Sequence, residues 1–307
     1  MAGICSDRVA ANSLRAWQMT SINDLRGSVH PRARTGSSNA ASSYPSLKNS
    51  RRCAAIAVAL WFLPFIDRFL MRFAATDDHE IFPNSLFPWT SYLEANWSVI
   101  RDEAEGLLSG GISIPSLRDI SPDHGKIAVD DKWRSLFFWA YGTRIQHNCT
   151  RCPETARTLE HIPDLLSALY SVMLPGAHVP RHTGPTKAII TAHLGLVIPA
   201  RRAACRMEIN KRNVMWDEGR VVIFDDMNPH EVWNDTDEVR IVLLLHLKRP
   251  LRFPGSRVRD FLVAALRSSP FVRDGMRNLE RWEKLTAPAD RTCLWPLSVA
   301  KERFRKD

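Results

Sequence analysis

Two histidines 48 residues apart, and an arginine ten residues past the second, carry the clearest chemistry in this chain: His182 in PRHTGP, His230 in FDDMNPHEVWN and Arg240 in EVRIVLLLHL. Neutral imidazole is a ligand for ferrous iron. Two of them make most of a 2-His-1-carboxylate centre, which keeps positions open for a co-substrate and dioxygen. A guanidinium is always charged and offers a planar fork, so an arginine nearby would hold a dicarboxylic co-substrate such as 2-oxoglutarate. The carboxylate ligand is missing from this set. His178 and His193 compete as ligands on spacing alone, and a lone histidine on a β-rich run is more often packed or solvated than ligating.

The elements that carry these residues decide what they can reach. From residue 169 onward, LYSVML, AIITAHLGLVIP, CRMEI, RVVIF, HEVWN and VRIVLLLHL are six short β-rich runs. Turn-forming pairs separate them, including Pro175-Gly176, Asn210-Lys211 and Asn234-Asp235. Such spacing predicts an antiparallel sandwich or jelly roll, a mainly β domain with flanking helices. Period-two alternation puts Arg240, Val242, Leu244 and His246 on one face. A buried arginine is costly without a partner, and that partner is either a bound carboxylate or an internal acid. Upstream, residues 90–108 read as one amphipathic helix with Leu93, Trp97, Ile100, Ala104 and Leu107 at helical spacing. Residues 133–142 read as a strand, and 153–170 as a helix. After Pro250 and Pro254, residues 258–266 and 272–285 read as basic amphipathic helices that cap the domain or touch a membrane.

Charge is concentrated at the ends. Residues 1–52 carry eight Lys/Arg against two acids, and residues 248–307 carry fifteen against seven, within a total of +9. The centre is therefore mildly acidic. Basic ends are solvated tails or are drawn to anionic membrane, and no nucleic-acid motif accompanies them. Residues 1–52 read as a disordered basic leader. Residues 53–66 contain no charge but are shorter than the ~20 residues that span a bilayer. With the continuation to 75, they form a membrane-anchoring segment or a buried helix, so the chain is expected to be membrane-associated or cytoplasmic. The 45% apolar content and ten tryptophans require a substantial core. Six scattered cysteines make no disulfide framework, and the single Cys149/Cys152 pair is half a zinc site at most.

Residues 171–251 resemble the aspartyl/asparaginyl β-hydroxylase family. The matching pieces are SVMLPGAHVPRHTGP, AHLGLVIP, WDEGRVVIFDD and PHEVWNDTDEVRIVLLL, with weaker similarity back to about residue 80. The resemblance implies a double-stranded β-helix (jelly roll, cupin-like) over 80–250, followed by a basic helical tail at 251–307. It implies that His182 and His230 bind iron, and that Ser171, His193 and Arg240 bind 2-oxoglutarate, with Arg240 on the distal carboxylate. Trp139 matches a pocket tryptophan. Lipid-hydroxylating members of the family carry an amino-terminal membrane anchor, which gives 53–66 a role.

Three positions depart from the common pattern. Gly184 stands where many 2-oxoglutarate oxygenases carry the ligand Asp. Animal aspartyl hydroxylases share this glycine, and water fills the gap. Thr191 stands where most of the family has an arginine that meets a substrate carboxylate, and His246 stands where an Asp is usual. The expectation is an Fe(II)- and 2-oxoglutarate-dependent dioxygenase that uses O2 to hydroxylate an unactivated C–H bond of a peptidyl, lipid or small-molecule substrate. The alternatives are a radical halogenase, with halide at Gly184, and a non-catalytic membrane-associated jelly-roll module.

Overall fold

The computed structural model describes residues 62–285. The leader 1–52, the part of the apolar segment before residue 62, and the end of the basic tail after 285 lie outside the described residues. Contacts divide the chain into residues 1–68 and 69–307. The described part of the first unit, 62–68, is helical. No helix among the described residues is long and apolar enough to cross a membrane.

In the second unit, eight consecutive strands form the barrel. They are β4 (Leu165–Met173), β5 (Ala177–His182), β6 (Ile189–Val197), β7 (Cys205–Ile209), β8 (Arg212–Val214), β9 (Val221–Phe224), β10 (His230–Asn234) and β11 (Arg240–Lys248). With β1 (Ile81–Phe82), β2 (Trp133–Ala140) and β3 (Thr143–Arg144), they make a seven-stranded sheet in the order β1-β9-β6-β11-β4-β2-β3. A four-stranded sheet in the order β5-β10-β7-β8 faces it. Strands β4, β6, β9 and β11 lie in one sheet and β5, β7, β8 and β10 in the other, so the chain passes repeatedly between the two. That connectivity, antiparallel throughout, is a double-stranded β-helix. Its tightest turn is the β7–β8 hairpin, where Asn210 and Lys211 both take positive φ (46° and 71°), as a two-residue primed turn requires.

The alternation expected along β11 is present. Val242 and Leu244 belong to the cluster between the sheets, together with Trp216, Phe224 and Met207. Ile241, Leu243, Leu245 and Leu247 point the other way. There they pack with α1 (Trp89–Ala95), α2 (Trp97–Ser109) and α5 (Pro153–Glu160) through residues such as Leu93, Ile100 and Leu159. The short α3 (Leu117–Ile120) and α4 (Gln146–Arg151) flank this layer.

Two helical expectations need correction. The run 90–108 is two helices broken at Asn96, whose backbone is non-helical (φ −99°, ψ 7°) and whose Nδ2 donates to the Tyr92 carbonyl at 2.8 Å. The run 153–170 is helical only to Glu160. Pro163 lacks the N–H to continue a helix, Asp164 takes φ 55°, and β4 begins at Leu165. The apolar residues 165–170 therefore belong to a central strand. Beyond the barrel, α6 (Gly255–Arg267) and α7 (Pro270–Leu285) are the two basic helices.

Candidate active site

His182 ends β5 and His230 begins β10, and the two are direct cross-strand partners. Their ring centroids lie 4.1 Å apart with planes at 54°. Each ring is held the same way. His182 Nδ1 meets the Pro180 carbonyl at 2.8 Å, and His230 Nδ1 meets the Asn228 carbonyl at 3.0 Å. A carbonyl only accepts, so both Nδ1 atoms carry hydrogen and both Nε2 atoms keep a lone pair. Carbonyl bonds of this kind orient imidazoles that ligate metals. Burial keeps both rings neutral: it lowers the His182 pKa, and burial plus the neighbouring His182 lowers that of His230 to about 3.

A bulge sets the phase of His182. Val179 pairs with Val232 and His182 with His230, so Pro180 and Arg181 together oppose Glu231. The extra residue turns His182 to the opposite side of the sheet from His178. His178, a rival ligand on spacing, instead bonds Glu231 at 2.7 Å and stacks on Trp233 outside the barrel.

Arg240 opens β11 and is 2% exposed. Its Nη1 reaches the carbonyl and Oγ of Ser171, both at 3.3 Å, and its guanidinium lies 4.5 Å from the centre of the Trp216 ring. Its Nε is buried with no hydrogen-bond partner, and no acid pairs with it among the described residues. Burial lowers its pKa to about 10. Of the two partners weighed from sequence, the internal acid is therefore excluded among the described residues. Ser171 Oγ also accepts from Trp133 Nε1 at 3.0 Å. His193, on β6, accepts at Nδ1 from Trp216 Nε1 at 3.2 Å, which places its hydrogen on Nε2, and that atom is buried without a partner. Burial, with Arg240 next, holds its pKa well below the ordinary value. The interior thus presents two donors with nothing to donate to, Arg240 Nε and His193 Nε2.

Asp226 is the residue that spacing missed. A Cβ added to Gly184 would lie 2.2 Å from Asp226 Oδ1, so the carboxyl of Asp226 occupies the space beside Gly184. Oδ2 accepts from Thr191 Oγ1 at 3.0 Å, while Oδ1 is buried and unbonded. Burial, reinforced by neighbouring Asp225, raises its pKa to about 7. Asp225 is itself fully buried, on Lys187 Nζ at 2.6 Å and on Arg249. His246 lies opposite Thr191 across β6–β11, half-buried, with its pKa lowered by burial to about 4.

Trp139 is not part of this cluster. It packs against the outer core between the sheet and the helices, with Arg144 stacked on it at 5.2 Å. A bulge in β2 between Phe137 and Trp139 shifts its phase, and Trp133 and Trp216 supply the aromatic walls instead. Cys149 and Cys152 are free, buried thiols, and burial pushes Cys152 up to about 12. Neither is a reactive thiolate. No group of three or more His, Cys, Asp or Glu suited to a metal occurs among the described residues. The histidine pair stands with Asp226 beside it rather than in a closed triad.

The fold and this interior define a double-stranded β-helix with paired, carbonyl-pinned histidines at one end and a buried guanidinium within. The aspartyl/asparaginyl beta-hydroxylase family matches residues 94–250, and the chain belongs to that family. A Rhizobium tropici ornithine lipid ester-linked acyl 2-hydroxylase is 32% identical over 214 residues, covering 70% of this chain and 76% of that protein. The human aspartyl/asparaginyl beta-hydroxylase is 33% identical over 170 residues, covering 54% of this chain but only 22% of that protein. Among solved structures, a Cupin 2 conserved barrel domain protein from Salinispora arenicola aligns with TM-score 0.28 and 13% identity, over 45% of this chain and 87% of that one. The named relatives are hydroxylases.

Proposed function

We propose that the chain is an Fe(II)- and 2-oxoglutarate-dependent hydroxylase. The observation that carries this reading is the pair of Nε2 lone pairs on His182 and His230, freed by two backbone carbonyls, one on β5 and one in the turn before β10. His182 and His230 would hold the metal. Arg240, Ser171 and His193 would bind the co-substrate, because the interior offers a guanidinium without an acid and an imidazole N–H without an acceptor. Iron with 2-oxoglutarate and dioxygen supplies the oxidant for a C–H bond, with succinate and carbon dioxide as by-products. The protein's part is to desolvate the site, fix both imidazole tautomers and hold a carboxylate from the buried end.

The Asp226 carboxyl fills the space beside Gly184, and it makes no closed three-residue metal group with the two histidines among the described residues. The same carboxyl disfavours the halogenase reading, since the room expected for a halide at Gly184 is filled by an acid. Thr191 is already bonded to Asp226, so no fixed cation stands there to meet a substrate carboxylate. That favours an acyl-lipid substrate over an aspartyl side chain, as does the broad coverage of the Rhizobium lipid hydroxylase. The test is anaerobic reconstitution with Fe(II) and 2-oxoglutarate, followed by oxygen and measurement of succinate. Acyl lipids should raise succinate release in step with a hydroxylated product. Absence of Fe(II) binding would return the chain to a non-catalytic module.

A further inference from the structure

Helix α6 is tied to the barrel by one face and open on the other. Arg259 and Val263 are buried, and Arg259 Nη1 donates to the Arg249 carbonyl at 2.7 Å. On the open face, Phe261 is 78% exposed, and Phe253, just before the helix, is 77% exposed. The Ser256 N–H donates to the Arg252 carbonyl at 3.0 Å, so helical bonding already begins there. Arg257, Phe261 and Ala265 therefore follow one another at four-residue steps along one stripe of α6, and Phe253 sits in the turn just before the helix. Arg257, Arg252 and Arg72 are exposed and form no ion pair with an acid among the described residues, while one guanidinium nitrogen of Arg252 donates to the Ala74 carbonyl at 3.0 Å. Arg252 and Phe73, the neighbour of Arg72, are joined by a backbone bond of 2.7 Å. The one acid of α6, Asp260, is engaged by Lys248 and Arg259.

Helix α7 behaves differently. Val272 and Leu279 are buried, and Asn278 donates to the Ile120 carbonyl at 3.0 Å. Of the two roles open to the basic helices, α7 caps the domain while α6 keeps an exposed aromatic and cationic face. Single exposed apolar residues are ordinary. Two exposed phenyl rings, one on α6 and one in the turn before it, with unpaired arginines beside them and the single acid of α6 already engaged, form the pattern of a segment that lies in a membrane interface. The arginines lack counter-charge, and lipid phosphates supply it.

We propose that the exposed start of α6, Phe253 with Arg257 and Phe261, together with Arg252 and Arg72, docks this protein on an anionic phospholipid bilayer. The rings enter the boundary between headgroups and acyl chains, and the guanidinia meet the phosphates. The inference stands on this surface and does not depend on the hydroxylase reading. It bears on that reading because the face connects to the site. Arg259 holds the Arg249 carbonyl, the Arg249 side chain pairs with Asp225, and Asp225 precedes the Asp226 that abuts Gly184.

The test is co-sedimentation of the full chain with vesicles of phosphatidylcholine alone or mixed with phosphatidylglycerol. Wild type should partition to the anionic vesicles and be released by salt. Phe253→Ser with Phe261→Ser should weaken that partitioning about tenfold. Arg252→Glu with Arg257→Glu should weaken it at least ~25-fold, since each cation near such a surface contributes about fivefold. These side chains are exposed, so unchanged circular dichroism and melting should accompany both losses. If both variants sediment as wild type does, the proposal is overturned and vesicle binding lies elsewhere in the chain. It is equally overturned if the phenylalanine variant lowers the mass in solution while vesicle binding is unaltered, because the face would then join two copies of this chain.

Discussion

Replacing Arg240 by Met distinguishes an anion receptor from a structural cation. The charged form of Arg240 is disfavoured by burial, and the fall in pKa from 12.5 to about 10 corresponds to roughly 3 kcal/mol. Opposing this are the stacking on Trp216, at most ~2 kcal/mol when desolvated, and two 3.3 Å contacts with Ser171, together about 1 kcal/mol. The terms nearly cancel, and Met matches the length and apolar volume of the arginine stem. Without co-substrate, Arg240→Met should therefore unfold within ~1 kcal/mol of wild type. Binding should respond very differently. A hydrogen-bonded fork to a carboxylate contributes ~1.5–3 kcal/mol, so the Kd for 2-oxoglutarate should rise about 10- to 150-fold. Anaerobic calorimetry with metal present measures the second quantity, and denaturant unfolding with and without 2-oxoglutarate measures the first. At saturating co-substrate, wild type should be stabilised by about 1.5–3 kcal/mol more than the variant. The reasoning is refuted if the variant loses ~3 kcal/mol or more on its own while binding 2-oxoglutarate normally, because Arg240 would then serve the fold alone.

Other substitutions probe neighbouring atoms. His182→Ala or His230→Ala should abolish Fe(II) binding by calorimetry and succinate release with it; retention of both in either variant would reject the ligand pair. Gly184→Ala should lose ~2 kcal/mol or more in chemical denaturation, since its Cβ meets the Asp226 carboxyl at 2.2 Å, and Asp226→Ala should restore most of that loss; an undiminished wild-type midpoint would show that Asp226 swings away freely. Trp216→Phe removes the donor to His193 Nδ1 and should cost ~1–2 kcal/mol, with a shift in the His193 ring resonances in nuclear magnetic resonance spectra as the check. The histidines also set an acid limit. His230 and His246 have folded pKa values of about 3 and 4, below the 6.5 of the unfolded chain. As pH falls below 6.5 the unfolded state takes up protons that the native state refuses, and stability drops by ~1.4 kcal/mol per pH unit for each histidine. Asp226 has the opposite sign: raised to about 7, it lowers stability as pH climbs from 4 to 7, so Asp226→Asn should flatten that side of a stability–pH curve.

The barrel was legible because its strands are short, rich in β-branched residues and separated by turn pairs, and because alternation along β11 needs only counting. Residue type and spacing left His178 and His193 as rivals of His182 and His230, and it was the family resemblance that singled out His182, His230 and Arg240 and set His193 with Arg240. What stayed hidden depends on pairing rather than spacing. Asn96 splits a helix whose apolar period runs through it unbroken. The end of α5 at Glu160 was obscured because residues 165–170 are apolar in any reading. Trp139, expected in the pocket from the resemblance alone, packs against the outer core beyond a bulge in β2. Asp226 and Trp216 both lie within WDEGRVVIFDD, a visible motif, yet only the approach of the β9–β10 turn to Gly184 shows where the last Asp of that run puts its carboxyl.

The irregularity in β5 has a consequence of its own. Pro180 accepts the His182 Nδ1 hydrogen from two residues back, within the bulge, as Asn228 does for His230 from a turn. Both acceptors belong to the main chain, so it is backbone geometry, insensitive to most side-chain substitutions, that records which nitrogen stays bare. Insertions and deletions, rather than point changes, are the class of variation to which this site is most exposed.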